Sequence, residues 1–299
     1  MQTIVNPNKA AIRTKLVITD VDGTLSSFWD YFVPAIRDFV REMSQEVKVS
    51  VDELSQDIVH VIERRGTHEY PWLLEETSFA WKHYKDKVDE FTGRIVQPFW
   101  EALDSNREKY LRPFPTVLDT LAALKSQGIK VVALSDAPDF MARVRNQQLF
   151  DGLLDAVYAL ETREPSKNDI FQPITFEYGR KRLSSLLNSS SNIKSSFFTL
   201  PQSYEKPCPH GLDRILEDFD VYPQECMFIG DSLSKDGIVA ASRGIRFIWA
   251  HYGHHVPAEY EEIVSHSLKP RREEKAAKVL PDHLLTAVAA RYDEILNHI

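Results

Sequence analysis

Lys15-Leu16-Val17-Ile18-Thr19-Asp20-Val21-Asp22-Gly23-Thr24-Leu25 is the stretch on which the reading of this chain turns. Leu16 to Ile18 form a short apolar run rich in β-branched residues, the pattern of a parallel strand buried on both faces. Two carboxylates follow, two residues apart. If the chain stays extended to Asp22, Asp20 and Asp22 project from one side. Both then stand at the carboxyl end of a strand, where open α/β sheets bind their ligands. Gly23 lets the backbone turn sharply without a Cβ clash. Two carboxylates this close do not both ionise cheaply unless a cation lies between them or one keeps its proton. A cation would leave a bare carboxylate as nucleophile, and a shared proton would leave a neighbouring acid. Read alone, the stretch fits an idle acidic turn as well, because Asp and Gly are common turn residues.

The bulk of the sequence narrows the class. At 299 residues there is room for one large or two ordinary domains. A hydrophobic content of 43% with 27% charged residues is that of a soluble globular protein. The formal net charge of −8 argues against nucleic acid or an anionic membrane surface as a partner. A small phosphorylated substrate stays open, since one local basic pocket suffices for it. Cys208 and Cys226 offer neither a disulfide framework nor metal-ligand spacing, which points to a reducing compartment. Met1 to Lys15 is polar, and no apolar run approaches the length of a membrane span. A cytoplasmic protein is expected.

Downstream of Leu25 the period changes. Phe28, Phe32, Ile36, Phe39, Val40 and Met43 recur at three- and four-residue spacing, with Pro34 in an early turn. Ser50 followed by Glu53 reads as a capping box that opens a helix carrying Leu54, Ile58, Val61 and Ile62. Further helices are expected at 75–90 and 94–108, and the stretch from Ser26 to about Tyr110 reads as an inserted helical domain. Tyr70, Trp72, Phe79, Trp81 and Tyr84 read as its core. Arg64, Arg65 and His68 are its candidates for contact with a substrate anion, against the plainer reading as solvated surface.

From Arg112 strands and helices alternate. Val117, Leu121 and Leu124 mark a helix ended by Gly128. Ile129 to Leu134 is a second buried strand ending at Ser135-Asp136, and Ala156 to Leu160 a third. Strand–helix–strand series of this kind imply right-handed crossovers and a parallel sheet. Residues 161–204 are polar and serine-rich, with a helix at 176–187 and a strand near Phe197 possible within a segment that also reads as a lid or binding loop. After Lys206-Pro207 come a helix with Leu212, Ile215, Leu216 and Phe219, a strand at Cys226 to Ile229 running into Gly230-Asp231-Ser232, a helix at Ile238 to Ser242, and a strand at Ile245 to Ala250. His251, His254 and His255 read as a loop, because their spacing fixes no coordination geometry. A charged linker at 269–275 leads to a final amphipathic helix with Leu284, Leu285, Val288, Tyr292, Ile295 and Leu296 apolar.

Four of these pieces, in order and each at a strand end, resemble the motifs of the haloacid dehalogenase-like (HAD) hydrolase superfamily. They are Asp20-Val21-Asp22-Gly23-Thr24, then Ser135, then Lys206, then Gly230-Asp231-Ser232-Leu233-Ser234-Lys235-Asp236. The resemblance implies an α/β fold, a Rossmann-like parallel sheet with an all-helical cap inserted after the first motif. It divides the chain into a core of 1–25 and 111–299, carrying the extra insertion at about 161–204, and a cap of 26–110. The layout is similar to that of phosphoglycolate-phosphatase-like members.

Roles follow from the resemblance residue by residue. Asp20 is the implied nucleophile, forming an aspartyl-phosphate, and Asp22 the implied acid and base. Thr24, Ser135 and Lys206 are implied phosphate contacts, with Lys206 also neutralising charge. Mg²⁺ is the implied cofactor, on Asp20, the backbone carbonyl of Asp22, and Asp231, with Asp236 a further carboxylate of the metal shell or an orienter of Lys206. Lys167 stands nearer the usual family distance from Asp136 and is the rival to Lys206. The rival is disfavoured because Pro207, the helix after it and the spacing to Asp231 fit only Lys206.

A Mg²⁺-dependent phosphatase of a small phosphorylated metabolite is the expectation. A phosphomutase with the same motifs, or a non-catalytic binding protein on the same scaffold, are the alternatives. A dehalogenase is disfavoured by Asp22, which the family's dehalogenases lack.

Overall fold

Leu16 to Thr19 are wholly buried, so β1 (Leu16–Thr19) has protein on both faces. The computed structural model, which describes residues 13–189, 193–253, Ala258 and 283–299, sets that strand in the middle of a parallel sheet. The other strands are β2 (Lys130–Pro138), β3 (Ala156–Leu160), β4 (Ser196–Leu200), β5 (Cys226–Gly230), β6 (Arg246–Ala250) and β7 (Leu285–Ala289). They form a seven-stranded sheet in the order β4-β3-β2-β1-β5-β6-β7. Val17 pairs with Val131 on one side and Met227 on the other. The chain therefore builds outward from β1 in one direction and then returns to build in the other. The crevice of an open sheet lies at that switch point, above the carboxyl ends of β1 and β5.

Alternation along the strands supplies both faces with apolar side chains. Val17, Val131, Ala133, Met227 and Ile229 pack on one side, while Leu16, Ile18, Val132, Leu134 and Phe228 pack on the other. The first face is covered by the helix Val117–Ser126 and the second by the helix His210–Phe219, whose Leu212 and Ile215 are buried there. No helix among the described residues is long and apolar enough to cross a membrane.

Between β1 and β2 the described chain is helical, from α1 (Trp29–Val47) and α2 (Val51–Arg65) through α3 (Ser78–Tyr84) and α4 (Val88–Phe91) to α5 (Gln97–Tyr110). Pro34 lies inside α1, in its second turn, and has no N–H to donate to the carbonyl four residues before it. The Ser50 hydroxyl accepts from the Glu53 N–H at 3.1 Å and caps α2. The helix expected at 75–90 starts later and breaks at 85–87. Asp57 accepts from the N–H groups of Ser78 and Phe79, and Thr77 from that of Ala80, which together set the start of α3. Four of the five aromatic residues read as core are buried; Trp81 is 44% exposed.

The 161–204 segment resolves into α8 (Glu177–Ser189, preceded by α6, Val117–Ser126, and α7, Asp139–Arg145) and β4, which adds an outer strand to β3. On its way it is fastened to the helical layer. Arg65 pairs with Asp169 at 2.9 Å, the Ile174 N–H donates to the Glu75 carbonyl at 2.9 Å, and the Trp72 and Trp81 indoles donate to the carbonyls of Phe176 and Gln172. Arg182 grips both oxygens of Asp104 and lies over the Trp100 ring at 4.4 Å. A Cβ on Gly179 would clash with the Trp72 indole, so the close approach of α8 needs glycine there. Residues 169–182 thus pack against the helices inserted after β1.

Among the described residues 283–299 the expected final helix is not present. Leu285 to Ala289 instead form β7 beside β6, and Tyr292–Asn297 makes a short 3₁₀ helix. The reason is the outer edge of β6, whose backbone groups offer a ladder that local periodicity does not register. The Phe247 N–H donates to the Leu284 carbonyl at 2.8 Å, and Ala287 and Ala289 pair with Ile248 and Ala250. The three-residue spacing of Tyr292 and Ile295 comes from the tight helical turn, which buries both on the Val17 face. The linker at 269–275 and the residues His254 and His255 lie outside the described residues.

Glu75 carries a stability consequence. Its side chain is fully buried, and burial pushes the carboxyl up to about 8 against the pull of nearby backbone N–H groups and Arg182. A carboxyl raised above its unfolded value stabilises the fold most below the unfolded pKa, and that contribution is lost as pH rises through the folded pKa. Wild-type stability should therefore fall between pH 5 and 8 by up to about 1.4 kcal/mol per pH unit for this one group. Glu75→Gln should flatten that slope in urea denaturation measured at both ends of the range.

Candidate active site

Asp20 lies one residue beyond β1 but is still held by the sheet, its N–H donating to the Ile229 carbonyl at 2.9 Å. The chain then coils. Leu25 N–H donates to the Val21 carbonyl and Gly23 N–H to that of Ser26, and Gly23 adopts φ +86°. A Cβ on Gly23 would also meet the Asp231 carboxyl carbon at 2.6 Å. The tight turn and the nearness of Asp231 both require glycine. Because of this coil the two carboxylates of the first motif take different partners: Asp20 meets Lys206, and Asp22 meets Arg145.

Lys206 is buried, and its ammonium has three acceptors: Asp20 Oδ1 at 2.7 Å, Asp236 Oδ1 at 2.6 Å and the Leu134 carbonyl at 3.1 Å. Those account for its three protons. Burial alone would push the ammonium down; the carboxylates of Asp20, Asp236 and Asp136 overcome that and hold it well above the ordinary lysine range. Asp136 also receives the Lys206 backbone N–H at 3.0 Å and, on its other oxygen, the Lys235 ammonium at 2.8 Å. Lys235 reaches Glu205 as well, at 2.9 Å, so the residues flanking the second, third and fourth motifs are tied together. Lys167 is exposed in the 161–175 loop. Of the two rival lysines, Lys206 is the one bonded to Asp20.

The other motif residues close around this pair. The buried Thr24 hydroxyl donates to Asp20 Oδ2 at 3.2 Å, and the Thr24 carbonyl accepts from the Tyr252 hydroxyl at 2.6 Å. Ser135, buried where β2 departs from its register with β3, accepts the Ala137 N–H at 3.1 Å. Asp236 Oδ2 accepts the Ser232 N–H at 3.1 Å, so both Asp236 oxygens have donors and the residue is built to hold Lys206 in place. Burial pushes the Asp236 carboxyl up to about 7 against the pull of Lys206. The Asp231 carbonyl accepts from the Trp249 indole at 2.9 Å. Asp20, Asp231 and Asp236 are all buried and offer ligand oxygens within 4.8 Å of one another. Three carboxylates against one ammonium leave an excess of negative charge on an all-oxygen donor set, which fits a hard divalent cation.

Asp22 has surroundings that its motif does not announce. Its Oδ1 is 3.3 Å from Arg145 Nε, and burial pushes the carboxyl up to about 7 even though Arg145 pulls it down. Arg145 also bonds Tyr31 and Glu69. These three residues come from separate helices and a turn with no common pattern, so sequence reading passed over them.

The expected substrate contacts of the helical layer have other partners. Arg64 and Arg65 both pair with Glu76, Arg65 also with Asp169, and Arg64 lies over the Phe171 ring at 4.1 Å. They belong to the contact between α2 and the 161–175 loop. The His68 ring packs against Phe28, Trp29 and Phe32.

Comparison with known proteins agrees with this geometry. The haloacid dehalogenase-like hydrolase family model matches residues 14–244, and a HAD-hydrolase-like model matches 203–286. No curated protein matches the sequence at a significant level. Among solved structures, a HAD phosphatase from Thermococcus onnurineus superposes with a TM-score of 0.51 at 16% identity, over 95% of this chain and 97% of its own. A protein from Thermotoga maritima provisionally assigned as a beta-phosphoglucomutase gives 0.51 at 19% identity, over 95% and 98%. At those identities the likeness is one of fold.

Lys206→Met should be strongly destabilising in EDTA, by about 3–5 kcal/mol, because it strands two buried carboxylates. Adding Asp236→Asn should recover part of that loss. A double-mutant cycle in urea measures the recovery.

Proposed function

Because the chain belongs to the haloacid dehalogenase-like hydrolase family, we propose that it is a Mg²⁺-dependent phosphatase acting on a small phosphorylated metabolite through an aspartyl-phosphate on Asp20. The observation that carries this reading is the Asp20 carboxylate itself, held on one oxygen by Lys206 and on the other by Thr24 beside two further buried carboxylates.

In the proposed reaction an Asp20 oxygen attacks phosphorus in line while the bond to the leaving oxygen breaks. Asp22 gives that oxygen a proton. A water then attacks phosphorus, Asp22 takes its proton, and inorganic phosphate and free Asp20 are released. Ser135 and Thr24 provide hydroxyls for the phosphoryl oxygens, and Lys206 offsets the charge that gathers on them. Asp20, Asp231 and the backbone carbonyl of Asp22 would hold Mg²⁺, and when bound the ion neutralises charge on the phosphoryl group. We assign Asp236 to orienting Lys206, since both its oxygens accept hydrogen bonds there. The helices after β1 serve as a cap over the site. A reducing, cytoplasmic setting fits the two free cysteines. A phosphomutase would use the same residues but return the phosphoryl group to a second hydroxyl, and the release of inorganic phosphate separates the two.

The test is phosphate release from p-nitrophenyl phosphate and a panel of phosphorylated metabolites, with Mg²⁺ or EDTA. Turnover should need Mg²⁺ and fall at least about a thousandfold in Asp20→Asn, as expected for loss of a nucleophile. Undiminished activity in that variant would overturn the mechanism.

A further inference from the structure

Arg145, from the end of α7, stands where the sheet meets the helices inserted after β1. It is 1% exposed. Its Nε is 3.3 Å from Asp22 Oδ1, and its Nη2 donates to the Tyr31 hydroxyl at 2.9 Å and to Glu69 Oε2. Tyr31, on α1, donates in turn to Glu69 Oε1 at 2.5 Å, and Glu69 lies in the turn after α2. Asp22 and Arg145 thus come from the sheet side and Tyr31 and Glu69 from the helical side. All four sit in one patch of charge.

Removing a guanidinium from water is costly, and a buried ion pair often adds no more stability than well-packed apolar residues would. Such a group at a layer boundary calls for a reason besides stability. Capture of an anionic part of the substrate is not that reason, because Asp22 and Glu69 already surround Arg145 with two carboxylates. The geometry aims elsewhere. Arg145 Nε lies 3.3 Å from Asp22 Oδ1 as an ion pair, and Nε, Nη1 and that oxygen are all buried without a hydrogen bond, so both groups keep unused capacity toward each other.

We propose that Arg145 is a positioning residue for Asp22, holding its carboxyl toward the leaving-group side of the phosphoryl centre, and that Tyr31 and Glu69 set Arg145 from the helical layer. This rests on the phosphatase reading. In the step it serves, an Asp20 oxygen bonds to phosphorus, the phosphorus–leaving oxygen bond breaks with its electron pair on oxygen, and the proton of the Asp22 carboxyl moves to that oxygen. Arg145 neither gives nor takes a proton. The consequence is that Asp22 is aimed only while the helical layer is seated on the sheet.

The test is the dependence of kcat/KM on the leaving group across a series of substituted phenyl phosphates and one alkyl phosphate. A basic leaving group needs the proton; p-nitrophenolate scarcely does. Arg145→Met, Arg145→Lys and Glu69→Gln should lower kcat/KM for the most basic leaving group by about 10- to 100-fold and for p-nitrophenyl phosphate by less than about 3-fold, within the range for general acid catalysis. Arg145→Lys should stand between Arg145→Met and wild type. Glu69→Gln keeps the shape of the side chain and carries the test if Arg145→Met does not fold. An equal loss for every leaving group in the folded variants would mean a structural role only and overturn the inference. No turnover of any ester by the wild type with Mg²⁺ would overturn the phosphatase reading, and this inference with it.

Discussion

A buried carboxylate has to be neutralised, and this structure is organised around that constraint. Asp20, Asp231 and Asp236 converge at the carboxyl ends of β1 and β5, in surroundings where unpaired charge is costly. Lys206 answers part of the demand by bridging Asp20 and Asp236. The remaining negative charge suits the pocket to the proposed divalent cation. The same constraint explains the outer ties. Asp136 holds the backbone of Lys206, and Lys235 joins Asp136 to Glu205, so the lysine is placed by residues from two loops.

The parallel sheet makes the convergence possible. β1 lies between β2 and β5, so the ends of three adjacent strands carry Asp20, Ser135 and Asp231 to one crevice. Above them sits the helical layer, fastened along one side by residues 169–182 through Arg65–Asp169, Arg182–Asp104 and the Trp72–Gly179 contact. At the centre, Arg145 meets Glu69 and Tyr31 across the same boundary. The two sets of contacts hold the helices over the sheet from the rim and from the middle.

Much of this was readable in the residues. The apolar runs at Leu16–Ile18, Ile129–Leu134 and Ala156–Leu160 identify buried strands because parallel sheets require uninterrupted apolar sequence. Ser50 and Glu53 announce the start of α2 through the chemistry of the cap itself. Two kinds of feature were not readable. One is tertiary override: 285–297 carries a helix-like spacing, yet the unpaired edge of β6 draws 285–289 into a strand. The other is contact between distant residues. Arg145 reaches Tyr31 and Glu69 across separations of 114 and 76 positions, and no periodicity or motif encodes such a meeting. Arg64 and Arg65 illustrate the converse, since basic residues on a helix near a site look the same in sequence whether they face a substrate or a glutamate.

Whether Asp20 is the nucleophile can be read from a covalent trap. Enzyme turning over a phosphate ester with Mg²⁺ would be acid-quenched, treated with borohydride and digested, and the peptides read by mass spectrometry. An aspartyl-phosphate is reduced to homoserine, so homoserine is expected at position 20 and unmodified aspartate at position 22. Homoserine at Asp22 or at another carboxylate, or steady turnover with Asp20 unmodified, would contradict it.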